Sequence, residues 1–230
     1  MKAVILAAGK GTRLGDLTRE IPKPLLRVHG KPILQHNIEL CRKHKVTELY
    51  VNTHHHAEKI VECFGDGSRF GVSISYSYEP ELLGTSGALR SFQENLSREP
   101  FFVIYADNYS NYDLNVLTKK FNSVNSIGVV AFHHREDVQS SGVAEFDEYH
   151  RITRFIEKPK PGETESHWVN AGMYYLSPRI FEFIPLGFSD FGQHIFPKIL
   201  VEKIPLYGVC ENFDVRAFDT PESYNNAVNT

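Results

Sequence analysis

The chain opens on an unbroken apolar run, residues 3–7, closed by Gly9. Such a run predicts a strand buried on both faces in the centre of a mainly parallel sheet. Residues 33–45 carry Ile33, Leu34, Ile38, Leu40 and Cys41 among polar neighbours, the stripe of an amphipathic helix. Residues 48–52 predict a second strand, 57–64 a helix stopped by Gly65-Asp66-Gly67, and 72–78 an alternating strand. A short helix at 89–96, a buried strand at 101–106 and a helix at 114–121 continue the alternation to residue 122. That order predicts a doubly wound parallel sheet with right-handed crossovers. From Ile127 the rhythm changes: strands near 127–132, 143–146, 152–156 and 169–176 come with little helix between them, an antiparallel extension. Helical segments near 178–184 and 191–200, a strand near 204–209 and a last helix from Pro221 close the pattern. No repeat of 20 to 50 residues is visible. The fold class is α/β: a doubly wound mixed sheet, mostly parallel.

Composition narrows the function classes. The 230 residues are 41% hydrophobic and 23% charged, an ordinary globular balance. A chain of this mass buries about 72% of its surface, enough for one core without staples. No Ser/Gly-rich or Pro-rich stretch serves as a linker, so a single domain over residues 1–230 is expected. The net charge is -3 with dispersed basic residues, which excludes an electrostatic footprint for nucleic acid. Cys41, Cys63 and Cys210 are odd in number and widely spaced; they form neither a disulfide framework nor a zinc motif, and each is expected to be a small buried apolar residue. The N-terminal apolar run is too short for a signal-peptide core or a membrane span, so a cytoplasmic protein without a membrane partner is expected.

The candidate chemistry begins at Ala8-Gly9-Lys10-Gly11-Thr12-Arg13-Leu14. Successive glycines at a strand's carboxyl end expose backbone N–H groups that make an anion-binding concavity. A P-loop would need Gly at position 4 and Ser or Thr at 11, where Val4 and Gly11 stand, and a dinucleotide fingerprint would need Gly at 14, where Leu14 stands. No helical run is expected directly behind the loop. Instead Lys23 lies between Pro22 and Pro24, in a stretch expected to be extended. Asp107 follows the apolar strand 101–106, at the edge where α/β sheets place ligands. His54-His55-His56 is expected to be a surface turn at a helix start, and Trp168 a core residue.

Gly9 to Arg13 followed by Pro22-Lys23-Pro24-Leu25 resembles the signature of the sugar-1-phosphate nucleotidyltransferases. The likeness continues through Leu83-Gly84-Thr85-Ser86-Gly87-Ala88-Leu89, Tyr105-Ala106-Asp107-Asn108, Ser141-Gly142-Val143, Phe155-Ile156-Glu157-Lys158-Pro159 and Asn170-Ala171-Gly172, in the family's order. The resemblance implies a Rossmann-like catalytic domain that joins a nucleoside triphosphate to a sugar 1-phosphate and releases pyrophosphate, in a chain that stops without the β-helix some members append. It puts the nucleotide on Leu6, Ala7, Ala8, Gly9, Gly11, Thr12, Arg13, Glu79, Gly84 and Thr85. It puts the sugar phosphate on Asn108, Gly142, Glu157, Lys158, Asn170 and Gly172, and makes Arg13, Lys23 and Asp107 catalytic. The implied cofactor is Mg²⁺, held by Asp107 and a second carboxylate. At the usual position of that second ligand this chain has Ala217; Asp219 resembles the arrangement of the cytidylyltransferase branch and takes the role, with Asp214 in reserve. The short form with its Gly84 loop looks like the guanylyltransferase branch acting on mannose or D-glycero-D-manno-heptose 1-phosphate, and Glu79 could accept both N1–H and N2–H of guanine. GTP is therefore the expected donor. A cytidylyl-, uridylyl- or thymidylyltransferase, or a non-catalytic nucleotide or sugar-phosphate sensor, are the alternatives.

Overall fold

The computed structural model describes residues 1–228, with side chains through Asn226. In chain order the strands are β1 Lys2–Leu6, β2 Arg27–Val28, β3 Lys31–Pro32, β4 Glu48–Thr53, β5 Ser73–Tyr78, β6 Phe101–Tyr105, β7 Asn108–Ser110, β8 Gly128–His134, β9 Gly142–Phe146, β10 Ile152–Glu157, β11 Trp168–Leu176, β12 Leu206–Cys210 and β13 Val215–Ala217. The α-helices are α1 Ile33–Lys43, α2 Ala57–Phe64, α3 Gly84–Gly87, α4 Gln93–Leu96, α5 Asn115–Ser123, α6 Phe196–Val201 and α7 Pro221–Val228. Contacts divide the chain into two compact units. One comprises Met1–Leu82, Ile104–Asn111 and the segment from Val215; the other comprises Leu83–Val103 and Tyr112–Asp214.

In the first unit β1 pairs with β4 and β4 with β5, both parallel, with Leu6 opposite Asn52 at the carboxyl end. The last residues of β6 flank β1 on its other side. The strand order therefore reverses between β1 and β6, which makes their carboxyl ends a topological switch point. The apolar stripe of α1 is buried as the 3.6-residue period requires, with Ile33, Leu34, Ile38 and Cys41 inaccessible. The helix stops at Lys43, two residues short of expectation, because Lys45 takes a left-handed conformation (φ 61°) that an α-helix cannot continue. A small core of Leu14, Leu26, Val28, Ile33 and Phe218 lies under the glycine loop.

In the second unit β11 pairs antiparallel with β8 and β9, β9 with β10, and β12 runs parallel to β8. The expected mixed α/β sheet with an antiparallel extension is thus what forms. Three expected helices differ. Residues 89–96 split into a 3-10 turn, Ala88–Phe92, and α4; 178–184 is a 3-10 turn, Pro178–Glu182; and 191–200 begins as a π-turn, Phe191–Ile195, before α6. In the last of these Asp190 accepts the N–H groups of Gly192 and Gln193, and Pro197, lacking an N–H, sits at the start of α6, where none is required. Cys41 is fully buried, whereas Cys63 and Cys210 are only half-buried, so the expectation of three core cysteines holds for one. All three are free thiols, and burial pushes Cys41 and Cys210 up to about 12. Trp168, expected in the core, is half-exposed at the start of β11. No helix among the described residues is long and apolar enough to cross a membrane.

Candidate active site

The glycine loop of the first unit is shaped by backbone geometry. Gly11 has φ +63°, and a Cβ there would meet the Thr18 side chain at 3.0 Å and the Lys23 Cβ at 3.2 Å. Glycine is thus required twice over, for conformation and for room. The Thr18 hydroxyl donates to the Gly11 carbonyl at 2.9 Å. Contrary to expectation, a 3-10 helix, Thr12–Thr18, follows the loop directly, kinked at Gly15. The Lys23 stretch is also not extended: Pro22 is (ψ 144°), but Lys23–Leu25 forms a 3-10 turn closed by Leu25 N–H to the Pro22 carbonyl at 2.8 Å. Proline's φ suits both conformations, so its presence did not decide between them.

That turn drives Lys23 inward, to 6% exposure. Its Nζ donates to Asp107 Oδ2 at 2.8 Å and to Asp219 Oδ1 at 2.5 Å, while Arg13 Nη2 lies 3.1 Å from Asp219 Oδ2. Two cations and two anions form one cluster with no net charge. Burial opposes the charge on Lys23, but the two carboxylates outweigh it and hold the ammonium above its ordinary pKa. Burial likewise opposes the Asp219 charge, and Lys23 with Arg13 outweighs it, holding the carboxyl below the usual range.

Each member has a structural anchor. Asp107 leaves the end of β6, and the buried Asn37 of α1 donates to the carbonyls of Ala106 (3.3 Å) and Asn108 (3.2 Å) on either side of it. Asp219 follows Phe218, a wholly buried ring of the small core. Ala217 pairs with Asn108 across β13 and β7, so the usual ligand position is spent on a strand. Asp214 belongs to the second unit, where its charge acts on His133.

Asn52 and Glu79 meet at the same strand ends. Asn52, at the end of β4, accepts the Ala7 N–H at 2.7 Å through Oδ1 and donates to Glu79 Oε1 at 2.8 Å through Nδ2. Glu79 is 1% exposed, a buried carboxylate and not a solvated loop residue. His54, His55 and His56 each donate a ring N–H to a different backbone carbonyl, of Glu79, Thr18 and Arg19 respectively. Their rings thus serve the local backbone. A groove of about 390 Å³ lined by Lys10, Thr12, Thr18, Arg19 and His55 runs beside the loop.

The other candidates lie in the second unit, except Asn108, which is in the first. Gly84 (φ +75°) has no room for a Cβ against the Ser189 carbonyl, and the Thr85 hydroxyl donates to Asp190 Oδ2 at 2.7 Å. Glu157 occupies a slot walled by glycines: a Cβ on Gly142 would stand 2.7 Å from Glu157 Oε2, and one on Gly192 would overlap it. Burial, reinforced by Asp190, raises the Glu157 carboxyl above its ordinary range. Lys158 takes φ 54°, and its N–H donates to the Ser141 carbonyl at 3.0 Å. Asn170 is spent on its own strand, accepting from Gly172 N–H at 2.9 Å and donating to the Tyr174 hydroxyl at 2.8 Å, where the β11 register shifts. Sequence reasoning missed Asn37, Asn52, Asp190 and Gly192. For Asn52 one signal existed, a polar residue directly after the run Leu49-Tyr50-Val51 of a parallel strand.

A family model described as Nucleotidyl transferase matches residues 2–217. The chain belongs to that family. It is 36% identical over 228 residues to a UTP--glucose-1-phosphate uridylyltransferase of Synechocystis, covering 93% of this chain and 59% of that protein. It is 33% identical to a mannose-1-phosphate guanyltransferase of Saccharomyces cerevisiae, covering 95% and 60%. The chain thus spans about three fifths of the length of these curated relatives. The crystal structure of HddC from Yersinia pseudotuberculosis superposes with a TM-score of 0.83 at 25% identity, over 99% of this chain and 98% of that one, and HddC is also known complexed with GMP-PN. Of the residues that the family likeness singles out, Arg13, Asp107 and Asp219 meet around Lys23.

Proposed function

We propose that this nucleotidyl transferase joins a nucleoside triphosphate to a sugar 1-phosphate, with GTP as donor and a mannose or D-glycero-D-manno-heptose 1-phosphate as acceptor. The observation that carries the reading is the Lys23 cluster: an ammonium, a guanidinium and two carboxylates gathered at the switch point behind a glycine loop. These are the parts that nucleotidyl transfer needs, since such catalysis is mostly positioning and charge neutralisation. An oxygen of the sugar phosphate attacks the α-phosphorus, the bond to the β-bridging oxygen breaks, and pyrophosphate leaves. The attacking phosphate is already anionic, so no general base is required.

Arg13, a forked donor, suits the leaving pyrophosphate, and Lys23 suits the compact charge of the α-phosphate. The backbone N–H groups of the Gly9–Arg13 loop cradle the chain of phosphates. The donor set Asp107 and Asp219 fits Mg²⁺: two hard oxygen ligands converge on one point, where a cation already stands in the form of the Lys23 ammonium. Bound there, Mg²⁺ would supply charge neutralisation on the phosphates. In the second unit Glu157 and Lys158 are assigned to the sugar hydroxyls and phosphate, with Gly142 making room for the Glu157 carboxylate and Gly172 assigned beside the ring.

For the base, the support is Glu79, buried and oriented by Asn52, together with the guanyltransferase relatives and the GMP-PN complex of HddC. A second reading, uridylyl transfer to glucose 1-phosphate, is favoured by the 36% identical Synechocystis relative. The test is pyrophosphate release with each of the four NTPs against mannose, glucose and heptose 1-phosphates. GTP should lead, and Glu79→Gln should cut GTP selectivity about tenfold, the difference of roughly 1.4 kcal/mol between a charged and a neutral acceptor. A tenfold preference for UTP or CTP would overturn the base, and no release with any pair would make the chain a sensor.

A further inference from the structure

We propose that His134, Glu136 and His167, in the second unit, form a binding site for a divalent transition-metal ion of the zinc type, independent of the Lys23 cluster. One ligand atom from each side chain lies within 4.8 Å of the others. The backbone brings them together: β8 and β11 are antiparallel with Trp168 opposite His134, and the Arg135 N–H donates to the His167 carbonyl at 3.0 Å. The three residues thus gather at the open end of this ladder, Glu136 past the end of β8 and His167 before the start of β11, where the His134 and His167 rings stack at 5.3 Å.

The donor chemistry selects the ion. Two imidazoles and one carboxylate are borderline ligands that suit Zn²⁺ or Co²⁺ and give Mg²⁺ little. His167 Nδ1 lies 3.1 Å from the Arg135 carbonyl oxygen, which can only accept. That backbone carbonyl fixes the ring's orientation as outer-shell partners do in zinc sites, and Glu136 Oε2 stands 3.8 Å from the same Nδ1. His134 is set edge-on to Trp168 at 5.7 Å. Ligand atoms in a tetrahedral zinc site stand about 3.4 Å apart, from bonds of about 2.0 to 2.2 Å. Exposed side chains close the difference by rotation. The histidine triplet offers no such set, because each of its rings is committed to a backbone carbonyl.

Three protein ligands leave a fourth position for water or a small anion. The bound ion would tie the end of β8 to the start of β11, bracketing the loop that leads to Ser141 and Gly142. Arg135 reaches out of the cluster to the Ser141 hydroxyl at 3.5 Å.

The test is a Co²⁺ titration of the full chain, free of any polyhistidine tag and stripped with a chelator, followed by visible d–d absorption. With millimolar Mg²⁺ present throughout to occupy Asp107 and Asp219, one equivalent of Co²⁺ should bind and be displaced by Zn²⁺. His134→Ala and His167→Ala should each weaken binding at least tenfold, and Glu136→Gln less. The His55→Ala/His56→Ala variant should titrate like the parent. Spectra and stoichiometry unchanged in His134→Ala/His167→Ala, loss of the signal in His55→Ala/His56→Ala, or no bound Co²⁺ at all would overturn the site.

Discussion

In the unliganded protein Lys23 holds the position that the proposed Mg²⁺ assignment gives to a metal, so replacing Lys23 by Met should raise metal affinity while it destroys turnover. The ammonium stands 2.8 Å from Asp107 and 2.5 Å from Asp219. Coulomb's law gives about 1.5 kcal/mol for each contact at the dielectric of water and several-fold more at an effective value of about 20. The carboxylate side chains are 39% and 31% exposed, which puts both contacts near the water end, about 2 to 3 kcal/mol together after screening. A metal ion must displace that interaction to reach both carboxylates. It must also break the charge balance of a neutral cluster, a cost that an arriving polyphosphate removes. Isothermal titration with Mn²⁺ in the absence of nucleotide should therefore show Lys23→Met binding at least tenfold more tightly than the parent, a difference of about 1.4 kcal/mol. Adding a non-hydrolysable NTP should narrow the gap by raising the parent's affinity. The variant's kcat and kcat/KM should fall together, as for a group that acts where charge develops. Mn²⁺ affinity within twofold of the parent would refute the displacement argument, and Mn²⁺ binding that survives Asp107→Ala in the His134→Ala/His167→Ala protein would refute the metal assignment itself.

Asp219→Ala should lose at least a hundredfold in turnover against less than threefold for Asp214→Ala, because only Asp219 shares Lys23 and Arg13; steady-state pyrophosphate release decides, and equal losses would break the pairing of Asp107 with Asp219. Gly192→Ala pushes a methyl group into the Glu157 carboxylate and the Phe155 ring; KM for the sugar phosphate should rise more than tenfold with KM for NTP unchanged, at a stability cost of about 1 to 3 kcal/mol for overpacking. An unchanged sugar-phosphate KM would detach Glu157 from that substrate. On pH, the Asp219 carboxyl, held low by Lys23 and Arg13 against the opposing effect of burial, contributes stability that is complete above its unfolded value of about 3.9 and lost as pH falls through the folded value below it. Urea denaturation of metal-free protein from pH 6 to pH 2.5 should accordingly fall off more steeply for the parent than for Asp219→Asn, and parallel curves would remove Asp219 from the ion-paired state.

The parts of the site that were legible in the sequence are those whose chemistry and whose position are fixed by neighbouring residues. A glycine loop announces itself because Gly11 must adopt φ +63° against Thr18 and Lys23, and Asp107 announces itself because it closely follows a strand of bulky, largely buried residues. The backbone between them was less legible: Pro22 and Pro24 permit an extended chain or a 3-10 turn, and burial of Lys23 against two carboxylates chooses the turn. What the sequence hid depends on register. Asn52 reaches the Ala7 N–H only because β1 and β4 align Leu6 with Asn52, and His167 meets His134 only where the β8–β11 ladder ends, just before Trp168 pairs with His134. A shift of one residue would turn Asn52 to the opposite face. Asp219 stands between these cases. Its resemblance to a branch motif picked it over Asp214, and the structure adds a physical reason: Ala217 pairs with Asn108 in a two-stranded ribbon and Phe218 plugs the small core, so the next residue is delivered to the same lysine that Asp107 holds. In this chain the departure from the common motif moves the carboxylate two residues along the chain and still brings it to Lys23. The geometry around Lys23, and not the spelling of the motif, is what mutagenesis at 217 and 219 should track.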